Sequence, residues 1–125
     1  MRIPLPAALT ALTLYAVASL VHHVHNAEFL DRYPNLPAWL SPAMVYGAWL
    51  GATAIGVLGY WLRRPFLLIA YGCYGLGALV HYALAPLSAH TPMMHLTIGL
   101  EAATAAALLI AVSLEFRRGP REPRR

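Results

Sequence analysis

Residues 93 to 115 read MMHLTIGLEAATAAALLIAVSLE. About 20 predominantly apolar residues in a row are what an α-helix needs to cross a hydrocarbon core of ~30 Å, and of the two acids in this run Glu115 ends it and Glu101 alone lies in its interior. Three further stretches of similar length and character occupy residues 5 to 25, 42 to 62 and 65 to 85. Turn and helix-breaking residues separate them: Pro34, Pro37 and Pro42, then Arg63, Arg64 and Pro65, then Pro86 and Pro92. Backbone polar groups in hydrocarbon must be satisfied within helices, and the 63–64 connection is too short for anything but a hairpin. The expected fold is an all-α integral membrane protein, four transmembrane helices in an up-down antiparallel bundle.

Composition agrees. In 125 residues, 59% are hydrophobic and 11% charged, with a mean hydropathy of +0.56; a soluble domain this small has no interior for so much apolar surface. The net charge of +4 and pI near 9.6 raise the question of nucleic acid. Basic residues in short loops beside apolar runs are instead signals of membrane topology, and nucleic acid is set aside. In a four-span arrangement Arg2, Arg63, Arg64, Arg117, Arg118, Arg121, Arg124 and Arg125 fall on one side, with Arg32 alone on the other. Both termini are therefore expected in the cytoplasm, of a bacterial inner membrane, with residues 1–116 as a single transmembrane domain and 117–125 as a basic tail held at anionic headgroups. Residues 1–18 also carry the outline of a secretory signal, but one arginine and the prolines at 4 and 6 make a poor leader, and four spans are kept.

Small residues recur inside the runs. Gly47 and Gly51 form a GxxxG pair, Gly56 and Gly59 continue that span, and Gly72, Gly75 and Gly77 mark the next. Helices in lipid associate by close approach, so these are expected contact faces, within the bundle, in a homo-oligomer or on a larger membrane complex. Cys73 has no partner for a disulfide and reads as a packing residue.

The chemistry-bearing residues gather by topology. His22, His23 and His25 end the first span, His81 ends the third, and His90 and His95 flank the start of the fourth. Those places share one depth, on the outer face. Imidazole is a common metal ligand and an axial haem ligand, and helical bundles build such sites from facing helices. The expected metal site is His22, His25, His81 and His95 with Glu28, and His22, His81 and His95 would serve a haem. Asn26, Asp31, Tyr15, Tyr71, Tyr74 and Met94 would stand behind the ligands or line a cavity. Thioether donors beside His95 point to copper before zinc or iron. His23 and His90 are read as interfacial and hydrated.

Glu101 is the sharpest single position. A carboxylate deep in a span costs ~2.5–3.5 kcal/mol even on the lenient insertion scale and usually marks a working site. It is expected to face the bundle interior, protonated or paired with a histidine or a metal. Three functions follow: a metal- or haem-binding protein for metal handling or electron transfer; a membrane enzyme in which Glu101 and a histidine move a proton on a lipid-soluble substrate; or an accessory subunit of a larger complex.

Overall fold

The computed structural model describes residues 5–117, and the basic tail from 118 onward and Arg2 lie outside the described residues. Among the described residues five α-helices follow one another: α1 (Leu5–Glu28), α2 (Pro42–Trp61), α3 (Pro65–Leu76), α4 (Val80–Leu84) and α5 (Pro92–Arg117). A 3-10 turn over Gly77–Leu79 joins α3 to α4, so Pro65–Leu84 is a single apolar span with a tightened middle. Together with Ala7–Glu28, Pro42–Trp61 and Pro92–Glu115 it makes four helices long and apolar enough to cross a membrane. There is no strand among the described residues.

Local chemistry sets the boundaries. Pro42, Pro65 and Pro92 each open a helix, where a missing N–H leaves no broken bond. Ser41 caps α2, its Oγ accepting from the Met44 N–H at 3.3 Å. At the other end of α2, Arg63 takes a left-handed φ of 52°. The Arg64 N–H then donates to the Gly59 carbonyl at 2.8 Å and the Arg63 N–H to that of Tyr60 at 3.2 Å. This pair of reversed bonds is a Schellman ending, and it turns the chain straight into α3.

α1 packs against α2 and α5, and α3 packs against the same two. One apolar cluster, built on Leu12, Tyr15, Leu68, Tyr71, Ala105 and Leu108, fills the half of the bundle near the α2–α3 turn. A smaller one of Tyr33, Ala78, Met94 and Ile98 closes the opposite end. Between the two lies a layer of buried polar side chains: Ser19, His22, His23, Asn26, His81, Thr97 and Glu101.

Glycine makes the close approaches, though not where the GxxxG pair suggested. A Cβ on Gly47 or Gly51 would meet nothing within 4 Å. The contact glycines are Gly56, against the Tyr71 ring, Gly59, against Leu67 and Leu68, Gly72, against Leu109, and Gly75, against Tyr15. The α2–α3 hairpin is tight near its turn, and the Gly47 half of α2 carries its small residues outward.

Candidate functional site

Positions 19, 22, 23 and 26 recur at spacings of three and four, which puts them on one face of α1. Thr97 and Glu101, four apart, present the answering face of α5. Ser19 is nine residues from the Glu28 end of α1, and Glu101 nine residues from the Pro92 start of α5. At 1.5 Å per residue both lie ~13 Å in from the same end, near the middle of their spans.

Glu101 is 1% exposed. Its Oε1 accepts the Ser19 hydroxyl at 2.6 Å. Its Oε2 has no hydrogen-bond partner and lies 3.7 Å from His22 Nε2. That separation is beyond a made hydrogen bond. On its far side His22 Nδ1 is 3.3 Å from Thr97 Oγ1, whose own proton goes to the Met94 carbonyl at 3.2 Å. Thr97 therefore accepts, His22 carries its proton on Nδ1, and the Nε2 lone pair faces Glu101.

His23 is fixed by the same bookkeeping of donors. Its Nδ1 donates to the Ser19 carbonyl at 2.8 Å, which leaves Nε2 to accept from the Tyr74 hydroxyl at 2.8 Å. The two rings stack at an interplanar angle of 20°. His23 Nδ1 also comes within 3.8 Å of Glu101 Oε1. Polar contacts thus run from Tyr74, 39% exposed on the bundle wall, through His23 and Ser19 to Glu101. Behind them Asn26 Nδ2 donates to His81 Nε2 at 3.2 Å, while Asn26 Oδ1 and His81 Nδ1 are buried without partners.

A cavity of about 340 Å³ is bounded by these groups, with Glu101, His22, His23 and His81 among its walls. Cys73, Tyr74 and Gly77, all exposed, form its rim. Cys73 is the ninth residue of the Pro65–Leu84 span, so the mouth opens through the side of the bundle and not at its end.

The expected metal ligands separate into several groups. His22 and His81 are brought together, ring centroids 5.3 Å apart. His25 turns to the flank, where Nδ1 meets the Tyr33 hydroxyl at 2.8 Å. His95 lies in the 82–95 region with Tyr82, whose hydroxyl is 3.0 Å from its Nδ1, and with His90 at 5.7 Å between centroids. Glu28 accepts from Tyr46 at 2.7 Å, and Asp31 is exposed beside a separate opening under the 29–42 loop. Among the described residues no three His, Cys, Asp or Glu side chains stand where they could hold a metal ion.

Of the supporting residues, Asn26 and Tyr74 line the cavity, Tyr15 and Tyr71 pack ring on ring in the core at 4.3 Å, and Met94 fills the smaller apolar cluster. His23 and His90, expected in water, are buried at 8% and 7% exposure. The sequence held a signal for His23, four residues from Ser19 on the inward stripe. It held none for Tyr33, a loop residue that folds back so that its ring sits 4.9 Å from His81 and 6.3 Å from His22. Burial pushes the Tyr33 phenol above its usual range, so it remains a neutral hydroxyl. Comparison with protein-family models, with curated proteins and with solved structures returned no match.

Proposed function

We propose that this chain is an integral membrane protein in which Glu101 and His22 form a proton-exchanging pair, acting on a lipid-soluble substrate that enters through the side of the bundle. The observation that carries the reading is the unpartnered Glu101 Oε2, buried 3.7 Å from the His22 Nε2 lone pair at the wall of a cavity whose rim is exposed. No arginine lines that cavity, and the chain has no lysine. An isolated charge there would be expensive, so one proton belongs to the pair as a whole, on the carboxyl or on the imidazole. Such a pair can give its proton to one substrate atom while taking a proton from another, so that its net charge is unchanged over the exchange, which is a form of general acid–base catalysis. Ser19 and Thr97 hold the two groups in place. Tyr74 and His23 connect the site to the rim.

The asymmetry of the arginines supports the orientation: both termini and the 63–64 turn in the cytoplasm of a bacterial inner membrane, and the polar layer in its outer half. A lipophilic carbodiimide tests the reading, because the O–H of a carboxylic acid in apolar surroundings adds across its N=C bond and rearranges to a stable acylurea. Dicyclohexylcarbodiimide should label the full chain in membranes at Glu101, located by peptide mass, and Glu101→Gln should remove the label. A water-soluble carbodiimide should leave Glu101 unmodified. No label at Glu101, or equal labelling by the water-soluble reagent, overturns the reading.

One observation favours a metal or haem instead, the 5.3 Å approach of His22 and His81. Metal and haem analysis of the purified protein decides it: copper, zinc, iron or haem held in stoichiometric amount by the wild type and lost in His81→Ala would establish that reading.

A further inference from the structure

The unmatched polar atoms around the cavity describe what is missing from it. Glu101 Oε2 and His22 Nε2, with one proton between them, offer one donor and one acceptor. Asn26 and His81 leave one acceptor and one donor between them, Oδ1 and Nδ1. Turning the Asn26 amide over exchanges those two roles and leaves the same count. A ligand that satisfies this set must both donate and accept. A hydroxyl does so; an ammonium only donates and would leave the donor unmatched. A phosphate or carboxylate would meet the Glu101 carboxyl with no cation lining the cavity, and buried unpaired charge is expensive.

Shape narrows the choice further. The cavity is walled by the flat rings of His22, His23, His81 and Tyr74. At about 340 Å³ it sits at the small end of ligand sites, room for one ring with its substituents. The rim lies halfway along an apolar span, so anything continuous with the head must be content in hydrocarbon.

We infer that this cavity binds the phenolic or quinol-type head of a lipid-tailed molecule, with the hydroxyl between Glu101 and His22 and the tail leaving past Cys73 and Gly77. The inference rests on the proton-exchange reading and adds the chemical class of its substrate.

Cys73, the one cysteine of the chain, stands at the rim and reports occupancy. The probe is 4-decylphenol, added to the purified full chain in lipid nanodiscs, with the rates of N-ethylmaleimide reaction at Cys73 and dicyclohexylcarbodiimide reaction at Glu101 as readouts. At about ten times its Kd the probe leaves about one site in eleven free, so both rates should fall about tenfold. 4-decylanisole, which has the same ring and tail but no hydroxyl hydrogen, should leave both rates unchanged, as should dodecyl phosphate. Equal protection by the anisole overturns the hydroxyl assignment, and protection by decanol equal to that of the phenol overturns the ring. Stronger protection by dodecylamine or dodecyl phosphate replaces the inferred head by a cation or an anion. If Glu101 is labelled without ligand but no phenol protects it, the proton site stands and the substrate class falls; if Glu101 is never labelled, the underlying reading falls first.

Discussion

Gly75→Ala should loosen the bundle where the Tyr15 ring of α1 reaches across to α3. An alanine Cβ there would stand 2.5 Å from Cε2, Cζ and Oη of Tyr15. Ordinary contact begins near 3.4 Å, so the ring or a helix must yield about 0.9 Å, the difference between the two. Tyr15 cannot yield alone, being fully buried with its ring 4.3 Å from that of Tyr71. Overpacking of this kind costs about 1–3 kcal/mol. Gly47→Ala is the matched control, since nothing lies within 4 Å of its Cβ and α2 is helical there; removing a helical glycine should gain about 0.5–1 kcal/mol. Gly75 is helical as well, so that gain is common to both, and the two alanines should differ by about 1–3 kcal/mol, the overpacking cost, in the free energy of unfolding by sodium dodecyl sulfate followed by circular dichroism. Equal stability of the two variants would refute the packing of the Tyr15 ring against Gly75.

Three further outcomes follow from individual contacts. Ser19→Ala removes the 2.6 Å hydrogen bond to Glu101 and should lower stability by about 0.6–1.7 kcal/mol, the span for interhelical bonds in membranes, read in the same unfolding assay; no change would mean the hydroxyl does not hold the carboxyl. Tyr33→Phe loses the hydroxyl and its bonds to His25 and Thr97 while keeping the ring against His81, and should cost about 0.5–1.5 kcal/mol, whereas Tyr33→Ala empties a buried site and should cost about 3–5 kcal/mol; equal costs would show that the ring does not close the cluster. Arg63→Gly places glycine at a left-handed φ of 52° and should raise the unfolding midpoint by about 1 kcal/mol, glycine adopting that conformation without the Cβ clash, and a loss would contradict the Schellman turn.

The four long apolar helices were legible because the length and hydropathy that suit a membrane crossing can be read from sequence, and proline opens three of them, at 42, 65 and 92. The inward face of Glu101 was legible for the same kind of reason: few other placements of a carboxyl are affordable in a span. What the sequence could not state is the rotation of each helix. His22 and His25 are three residues apart, hence about 60° apart around the axis. With His22 aimed at Glu101, that angle carries His25 to the flank and Tyr33, while His23, Ser19 and Asn26 share the inner side. Nor does a GxxxG pattern say which neighbour it meets; Gly47 and Gly51 meet none within 4 Å. Tyr33 belongs to a loop, and loops carry no period from which burial can be read.

A polar layer between two apolar clusters is a poor adhesive, and this is the physical reason to regard it as a site. Its cross-helix bonds, Ser19 to Glu101, His22 to Thr97, His23 to Tyr74 and Asn26 to His81, contribute on average about 0.6 kcal/mol each in membrane proteins, about 2.4 kcal/mol for the four. Against them stand three buried atoms with no partner, Glu101 Oε2, Asn26 Oδ1 and His81 Nδ1, at about 1–3 kcal/mol apiece. Leucine and alanine at these positions would hold four helices together with less loss. The imbalance resolves if the missing partners arrive from outside through the opening at Tyr74, because a ligand hydroxyl converts unsatisfied groups into binding energy only when it is present. A bundle selected for stability alone has no use for unpaired polar atoms in its interior, whereas the proposed exchange of a proton with a lipid-borne molecule would put them to use.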